Sequence, residues 1–437
     1  MFIHDSLSNA RRLISPEQVS IYACGITPYS DAHVGHARTY VVFDTLAKVL
    51  RLLGHRVRLV RNITDIDDKI IRVAQAEGVP WHTISDRYAE RNRALMRATG
   101  LQVPEEPKAS DHIPAIVDIV HQLQTLGLAY VSATGDVLYR VDRYKGPHLV
   151  QHRTGESRSE QGLARVQQDG KEDARDFALW KRAQAHEPGF DSPWGWGRPG
   201  WHIECTAMIG ALFQGHVTIH GGGTDLKFPH HQAEIMQSEP VFGTPLADVW
   251  MHNGSVLSNG QKMSKSLGNV VGWSEALQMA DEQAPGLGAD VLRYALLKTH
   301  WGQPFQWNDR VLPQAASELR ALAKKANASD AIGPSSFVDQ LRDNFNMPKA
   351  LGWLHATAGK DYGGSVQESL RVLGIEARAW LSQATNPVET SLVHPDWRAL
   401  EAERQAARER QDWVTADRLR AQLQAWGARI QDPKHGP

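Results

Sequence analysis

The chain has 437 residues, 41% hydrophobic and 22% charged, and 48 Lys/Arg against 49 Asp/Glu leave a net charge of −1. That length allows two or three domains with a sizeable core, and near neutrality excludes a uniformly basic nucleic-acid surface, so any RNA contact must come from local patches. No run of 18 apolar residues suggests a membrane span, the first residues are too polar for a signal peptide, and Cys24 and Cys205, 181 positions apart, suggest reduced thiols in a cytoplasmic protein.

Val19, Ile21 and Ala23 alternate as a strand does, and Thr39 to Leu53 has helical spacing closed by Gly54. Val57 to Val60 is a second strand. Strand, helix and strand in this space make a βαβ unit, whose right-handed crossover sets the helix N-terminus at the carboxyl edge of a parallel sheet. Backbone N–H groups and the helix dipole make that edge an anion site. The connecting stretch, Cys24-Gly-Ile-Thr-Pro-Tyr-Ser-Asp-Ala-His-Val-Gly-His36, puts His33 and His36 there on either side of the small Gly35. Both rings can donate to phosphate oxygens and stabilise developing charge. On spacing alone a pair of surface or capping histidines is an equal reading.

Helical spacing returns over 67–76, 84–99 and 113–126, followed by a hairpin around Gly135. A polar stretch, 148–176, reads as part of an insertion between two halves of a sheet, and 191–200 as a stiff loop. A strand from Val217 and a helix from His230 follow, and then a loop, Lys262-Met-Ser-Lys265-Ser, suited to closing over phosphates. As a lone run it is an ordinary solvated loop. Beyond it the pattern is helical over 312–326, 337–346, 350–358 and 366–383, then a linker at 386–395 and a last unit with two helices and a short strand.

The His33–His36 and Lys262–Ser266 stretches together resemble the HIGH and KMSKS signatures of class I aminoacyl-tRNA synthetases. Cys24-Gly-Ile-Thr-Pro-Tyr, Asn62-Ile-Thr-Asp-Ile-Asp-Asp-Lys69, Gly200-Trp-His-Ile-Glu-Cys205, His220-Gly-Gly-Gly-Thr-Asp-Leu226 and Phe228-Pro-His-His231 are similar to blocks of the cysteinyl-tRNA synthetase family, over essentially the whole chain. The resemblance implies an α/β fold: a Rossmann-like parallel-sheet catalytic domain in two halves (1–112 and 200–270) around a connective-peptide insertion (113–199). A stem-contact region (271–310), a helical bundle domain (311–385) and an anticodon-binding unit (396–437) complete it. It implies a monomeric ligase for L-cysteine, ATP with Mg²⁺ and tRNA(Cys). His33, His36, Lys262 and Lys265 would be catalytic, with Gly222 and Asp225 at the nucleoside end of the ATP site. Thr64 and Trp201 would form the cysteine pocket with His231, for which a fifth metal ligand and a support behind the metal ligands are the other readings.

His230 and Glu234 stand at i and i+4, and with Cys24 and Cys205 they offer thiolate, imidazole and carboxylate, all zinc-ligand chemistry. No Cys-x-x-Cys pair is present, and spacing alone favours two buried structural cysteines. The resemblance makes these four the ligands of one Zn²⁺ per chain. A soft metal can hold a thiolate at neutral pH where serine's alcohol cannot follow, which removes the need for an editing domain. Asp65, Asp67 and Asp68 suit Mg²⁺ or a capped helix start equally.

Residues 396–437 hold eight Lys/Arg against seven Asp/Glu, and Arg404 and Arg408 share a helix face just before Trp413. Arginines beside an exposed aromatic suit unstacked bases. The resemblance places anticodon reading on Arg404, Arg408, Trp413, Asp417 and Asp432; an amphipathic hairpin striped by Leu419, Leu423 and Trp426 explains the same spacing. Three departures stand out: His300-Trp-Gly302 where the family more often has His-Tyr-Arg, Gln232-Ala233 for Glu-Asn, and an end at Gly436-Pro437 where the family usually carries Thr-Thr-Trp. Two rivals remain, a mycothiol-type ligase giving cysteine to an amino sugar and a non-catalytic paralogue that binds tRNA or nucleotide.

Overall fold

A short antiparallel pair, β1 (Phe2–Asp5) and β2 (Ala10–Leu13), precedes strand β3 (Gln18–Ile26), from which helix α1 (Val34–Leu52) crosses to β4 (Arg56–Ile63). β3 and β4 pair in parallel, as the βαβ reading requires. These elements belong to a computed structural model that describes residues 1–150, 170–184, 187–258, 260–263, 268–325, 335–358, 366–376, 379–380, 397–410 and 412–425. Helices α2 (Asp68–Glu77), α3 (Trp81–Ala98) and α4 (Ile113–Thr125) follow. The inserted antiparallel sheet is β5 (Ala129–Val131), β6 (Val137–Tyr139), β7 (Phe177–Arg182) and β8 (Gly197–Pro199). The expected stiff loop at 191–200 therefore ends in a strand, paired through Trp180 and Pro199.

The parallel sheet resumes after helix α5 (Trp201–Phe213) with β9 (Val217–Gly223), helix α6 (Gln232–Phe242) and β10 (Ala247–Asn253). Its strand order is β10-β9-β3-β4. The two βαβ halves run outward in opposite directions from the β3–β9 pair, so the carboxyl ends of those strands border the crevice where open α/β sheets take ligands. Period-two alternation feeds both faces. Val19, Ile21 and Ala23 join one core with α1 and the later helices, while Tyr22 and Cys24 join the other with α4 and α5. Gly25 has no room for a side chain, since a Cβ there would lie 1.6 Å from the Asn62 carbonyl oxygen.

β11 (Val256–Ser258) and β12 (Gln261–Lys262) form the hairpin stem of the lysine loop. Helices α7 (Trp273–Gln283) and α8 (Gly288–Leu297) lead to β13 (Phe305–Trp307), which pairs with β11. Helices α9 (Val311–Lys325), α10 (Ser335–Leu341), α11 (Met347–Thr357) and α12 (Val366–Val372) follow. Two expected helices are shorter than their spacing: α10 stops where Asn344 and Phe345 turn to φ of 61° and 49°, and α12 stops before Gly374 at φ 75°. The last unit holds α13 (Trp397–Glu409) and α14 (Trp413–Ala425); the expected linker and terminal strand lie outside the described residues. Among those residues no helix is long and apolar enough to cross a membrane.

α1 is buried nearly all round and takes two charges inside, Asp44 and Arg38. Its guanidinium donates to the carbonyls of Gly254 (2.9 Å), Ser255 (3.3 Å), His300 (3.1 Å) and Gln303 (2.7 Å). Burial draws its pKa down to about 10, which leaves it charged at neutral pH. The residue thus ties the first βαβ unit to both segments that lead into the β11–β13 sheet. Arg38→Met, close in volume, should cost at least about 2 kcal/mol, the scale of one hydrogen bond to a charged group together with carbonyls left unpaired. The midpoint of urea unfolding at unchanged slope measures it; a shift within experimental error would show that water replaces the guanidinium.

Candidate active site

α1 starts five residues earlier than its apolar spacing suggested, because histidines supply the cap. His33 is the N-cap: its Nδ1 accepts from the Gly35 N–H at 3.1 Å, and His36 Nδ1 accepts from the His33 N–H at 3.2 Å. This is a capping box built from imidazoles. A neutral ring that accepts at Nδ1 carries its proton on Nε2, so the cap fixes both tautomers as Nε2–H donors. The rings stack at 3.9 Å. A Cβ at Gly35 would come within 2.8 Å of the His33 ring, which explains the glycine.

Four buried donors from separate elements meet at the adjoining strand ends: Cys24, Cys205, His230 and Glu234 have ligand atoms all within 4.8 Å of one another. Cys24 Sγ lies 3.8 Å from Cys205 Sγ, Cys205 Sγ 3.6 Å from His230 Nε2, and His230 Nε2 3.0 Å from Glu234 Oε1. A tetrahedral centre with Zn–S near 2.3 Å and Zn–N near 2.0 Å has S···S and S···N edges of about 3.8 and 3.5 Å. The donor set therefore fits zinc in kind, number and spacing. A second grouping, Cys24 with His220, His231 and Glu234, also falls within that radius and shares Cys24 and Glu234 with the first.

His220 directs Nδ1 to the Tyr22 carbonyl at 3.0 Å and Nε2 to Glu234 Oε2 at 2.5 Å. His231 sets Nε2 3.2 Å from Cys24 Sγ and Nδ1 2.7 Å from His252 Nε2. His202 meets His230 Nδ1 at 3.0 Å. Burial pushes the Glu234 carboxyl up, but His220 and His230 hold it well below the usual carboxylate range. Burial likewise opposes charge on His230, and Glu234 overrides it, to about 10. His202 is drawn down to about 3 by burial and by His230, so it accepts the His230 Nδ1–H and orients that ring. Burial pushes the Cys24 thiol well up. Sequence reasoning missed His202, His220 and His252; the only signal was their position within or beside the quoted motifs. His231, expected in the cysteine pocket, is fully buried behind Cys24.

Trp201 is 38% exposed and stacks on His230 at 4.3 Å, so it covers the donor cluster and is not core filler. Thr64 is buried between Asn62, whose amide donates at 3.3 Å, and Glu204. The three aspartates serve structure. Asp65 accepts from the Ser110 N–H and hydroxyl, Asp67 caps α2 through the Lys69 N–H, and Asp68 clasps Lys181 and Arg198 of the insertion.

Asp225 faces Lys262 across the crevice at 3.5 Å, joining the two expected nucleotide contacts to each other. Gly222 sits at the end of β9, where a Cβ would lie 3.6 Å from Cys24 Cβ and 2.7 Å from Leu226, beside the donor cluster. Lys265 lies outside the described residues. In the last unit Trp413 is 50% exposed and Asp417 is exposed, whereas Arg404 is only 2% exposed and so is withdrawn from solvent. Arg408 is half-buried, and Asp432 lies outside the described residues.

Residues 11–317 match the class I (C) tRNA synthetase catalytic domain. Over 99% of its length the chain is 38% identical to a cysteine–tRNA ligase of Burkholderia ambifaria and 39% identical to one of Parvibaculum lavamentivorans, covering 97% and 96% of those proteins. Its fold is similar to Mycobacterium tuberculosis methionyl-tRNA synthetase bound to methionyl-adenylate (TM-score 0.52, 16% identity, 89% of this chain and 84% of that one). It is similar also to the LeuRS of Agrobacterium radiobacter in a ternary complex with tRNA (TM-score 0.54, 11% identity, 81% and 82%).

The cap and any chemistry of His33 can be separated. His33→Ala should destabilise the protein by about 0.5–2 kcal/mol, the worth of an N-cap, while His33→Asn, itself a strong cap, should restore most of it. Equal thermal stability of the two variants would show that the imidazole does not hold the helix start.

Proposed function

This chain belongs to the cysteine–tRNA ligases of the class I tRNA synthetases, and we propose that it performs both steps of its reaction at the mouth formed by the His33–His36 cap and the buried donor cluster. In the first step the L-cysteine carboxylate attacks the α-phosphate of ATP, giving cysteinyl-adenylate and pyrophosphate. In the second a hydroxyl of the terminal ribose of tRNA(Cys) attacks the activated carbonyl and AMP leaves. The observation that carries the reading is the cluster of Cys24, Cys205, His230 and Glu234 under Trp201 at the same sheet edge as the histidine cap.

The Nε2–H donors of His33 and His36 bind phosphate oxygens and stabilise charge as it develops on them. Lys262 exchanges Asp225 for phosphate, Asp225 then accepts from the nucleotide ribose, and Lys265 completes the clamp from the same loop. Most of the rate comes from positioning and electrostatics, as in other phosphoryl and nucleotidyl transfers. Gly222 lets ligand and donor cluster approach; Thr64 and Trp201 line the cysteine pocket, and His231 supports its floor. One Zn²⁺ on the four donors supplies an affinity for thiolate that an alcohol lacks. Mg²⁺ enters on ATP, since Asp65, Asp67 and Asp68 are engaged. We place the enzyme in the cytoplasm as a monomer; Trp413 and Asp417 present an exposed face for anticodon bases, with Arg408 beside them and Arg404 packed beneath. The full-length similarity, including the last unit, disfavours both the amino-sugar ligase and the non-catalytic paralogue.

Protein purified without added zinc should carry one zinc per chain, and Cys205→Ser should lose it. In stripped protein at pH 7 His230, raised to about 10, and Cys24, also raised, both hold protons. Rebinding must expel them, so affinity should tighten as pH rises towards 10 and proton release should appear in calorimetry run in two buffers. A Cys205→Ser protein that kept full metal would remove the assignment.

Trp413→Ala should leave cysteine-dependent ATP–pyrophosphate exchange intact. It should narrow the preference for the cysteine anticodon by about 1–3 kcal/mol, the worth of one stacked base. Equal charging of tRNA(Cys) and an anticodon-changed tRNA by the unaltered enzyme would exclude this unit from reading bases.

A further inference from the structure

Beside the edge strand β10 a cavity of about 300 Å³ opens next to the crevice, at the lower end of ligand-pocket sizes and roomy enough for one sugar phosphate. No carboxylate lines it. Lys227 lines it and makes no hydrogen bond or ion pair among the described residues; its ammonium is held below the usual lysine value by burial alone. The flanking carboxylates are engaged elsewhere, Asp225 with Lys262 and Asp5 with the Trp250 and Ser8 N–H groups. Thr224 and Gln303 add a hydroxyl and an amide to the wall.

His252 adds a second unmatched group. It is only 4% exposed and lines the cavity, yet its Nδ1 has no hydrogen-bond partner. Its Nε2 meets His231 Nδ1, whose own Nε2 lies against Cys24 Sγ. The His252 Nδ1 is therefore a buried polar atom with no match among the described residues. An isolated cation and an unmatched imidazole nitrogen in one cavity match a ligand with a phosphate and a hydroxyl, which can donate or accept.

We propose that this cavity is a ribose-phosphate subsite, with the phosphate on Lys227 and a sugar hydroxyl hydrogen-bonded to His252 Nδ1. It rests on the ligase reading, in which the end of the acceptor strand supplies such a unit beside the crevice; a free nucleotide has the same chemistry. Gly302 opens the space: it has no side chain, and a Cβ there would make only ordinary contact, 3.6 Å from the His300 ring.

Gly302→Phe, which fills the cavity without adding charge, and Lys227→Met, which removes its cation, test the proposal in the full-length protein. Ribose 5-phosphate and the trinucleotide cytidine-cytidine-adenosine are the probes, titrated by calorimetry, with KM for tRNA and KM for ATP measured alongside. Each variant should weaken ribose 5-phosphate by about tenfold, one lost charge-assisted contact. A matching rise in KM for tRNA assigns the subsite to the acceptor strand, and a rise in KM for ATP assigns it to a free nucleotide. Unaltered protein that does not bind ribose 5-phosphate, or variants that bind both probes as before, would overturn the subsite. Failure of the unaltered protein to charge tRNA would instead overturn the ligase reading, whatever the probes do.

Discussion

Everything at the mouth depends on one parallel pairing, that of Ile21, Tyr22 and Ala23 with Ile219, His220 and Gly221. Because side chains alternate along a strand, this register decides which residues of each strand share a face. It puts Cys24 and Tyr22 on the side of α5 and α6, where His220 can reach both the Tyr22 carbonyl and Glu234. A slip of one residue would send Cys24 into the α1 core and Ile21 towards the donors. Such a slip would bury a polar set without partners and expose an apolar one, so the hydrophobic alternation that folds the sheet also assembles the centre.

That centre concentrates more ionisable groups than a protein interior normally tolerates. Two thiols, a carboxylate and several imidazoles are buried, and each isolated charge would cost several kcal/mol to desolvate. The cost is contained by a division of labour. Glu234 lies between His220 and His230, one histidine on each carboxylate oxygen, while His202, His231 and His252 are kept neutral by burial and serve as oriented hydrogen-bonding groups. Neutral imidazoles can pass orientation from ring to ring without adding charge. The donors are therefore held in place whether or not a cation sits between them.

What could be read in the sequence, and what could not, divides along the range of the interactions. The βαβ unit, the mouth histidines and the four donors were legible, the first from periodicity and the last from motifs. The cap was only half legible: capping histidines were one of two equal readings, but imidazole is not a common capping group, apolar spacing begins only at Thr39, and nothing local marks the reciprocal geometry. His202 and His252 were silent: each acts on a histidine of another segment, and no local pattern marks such a partner. The early stops of α10 and α12 come from positive-φ residues, Asn344, Phe345 and Gly374, of which only the glycine advertises itself. Arg404 shows the converse error. Helical spacing correctly put it on one face with Arg408, but spacing says nothing about which face the neighbouring helix covers.

The carbonyl grip of Arg38 has a mechanical consequence. It seizes the chain at Gly254–Ser255 and again at His300–Gln303, immediately before the paired strands β11 and β13. The base of the lysine hairpin is thereby bolted to the helix whose first turn carries His33 and His36. Sliding of the hairpin past that helix is blocked at its root, and the freedom left is rotation of a short lever about a fixed axle. A root fixed in this way confines Lys262 to one arc, the constraint that our proposed exchange of Asp225 for a phosphate places on it.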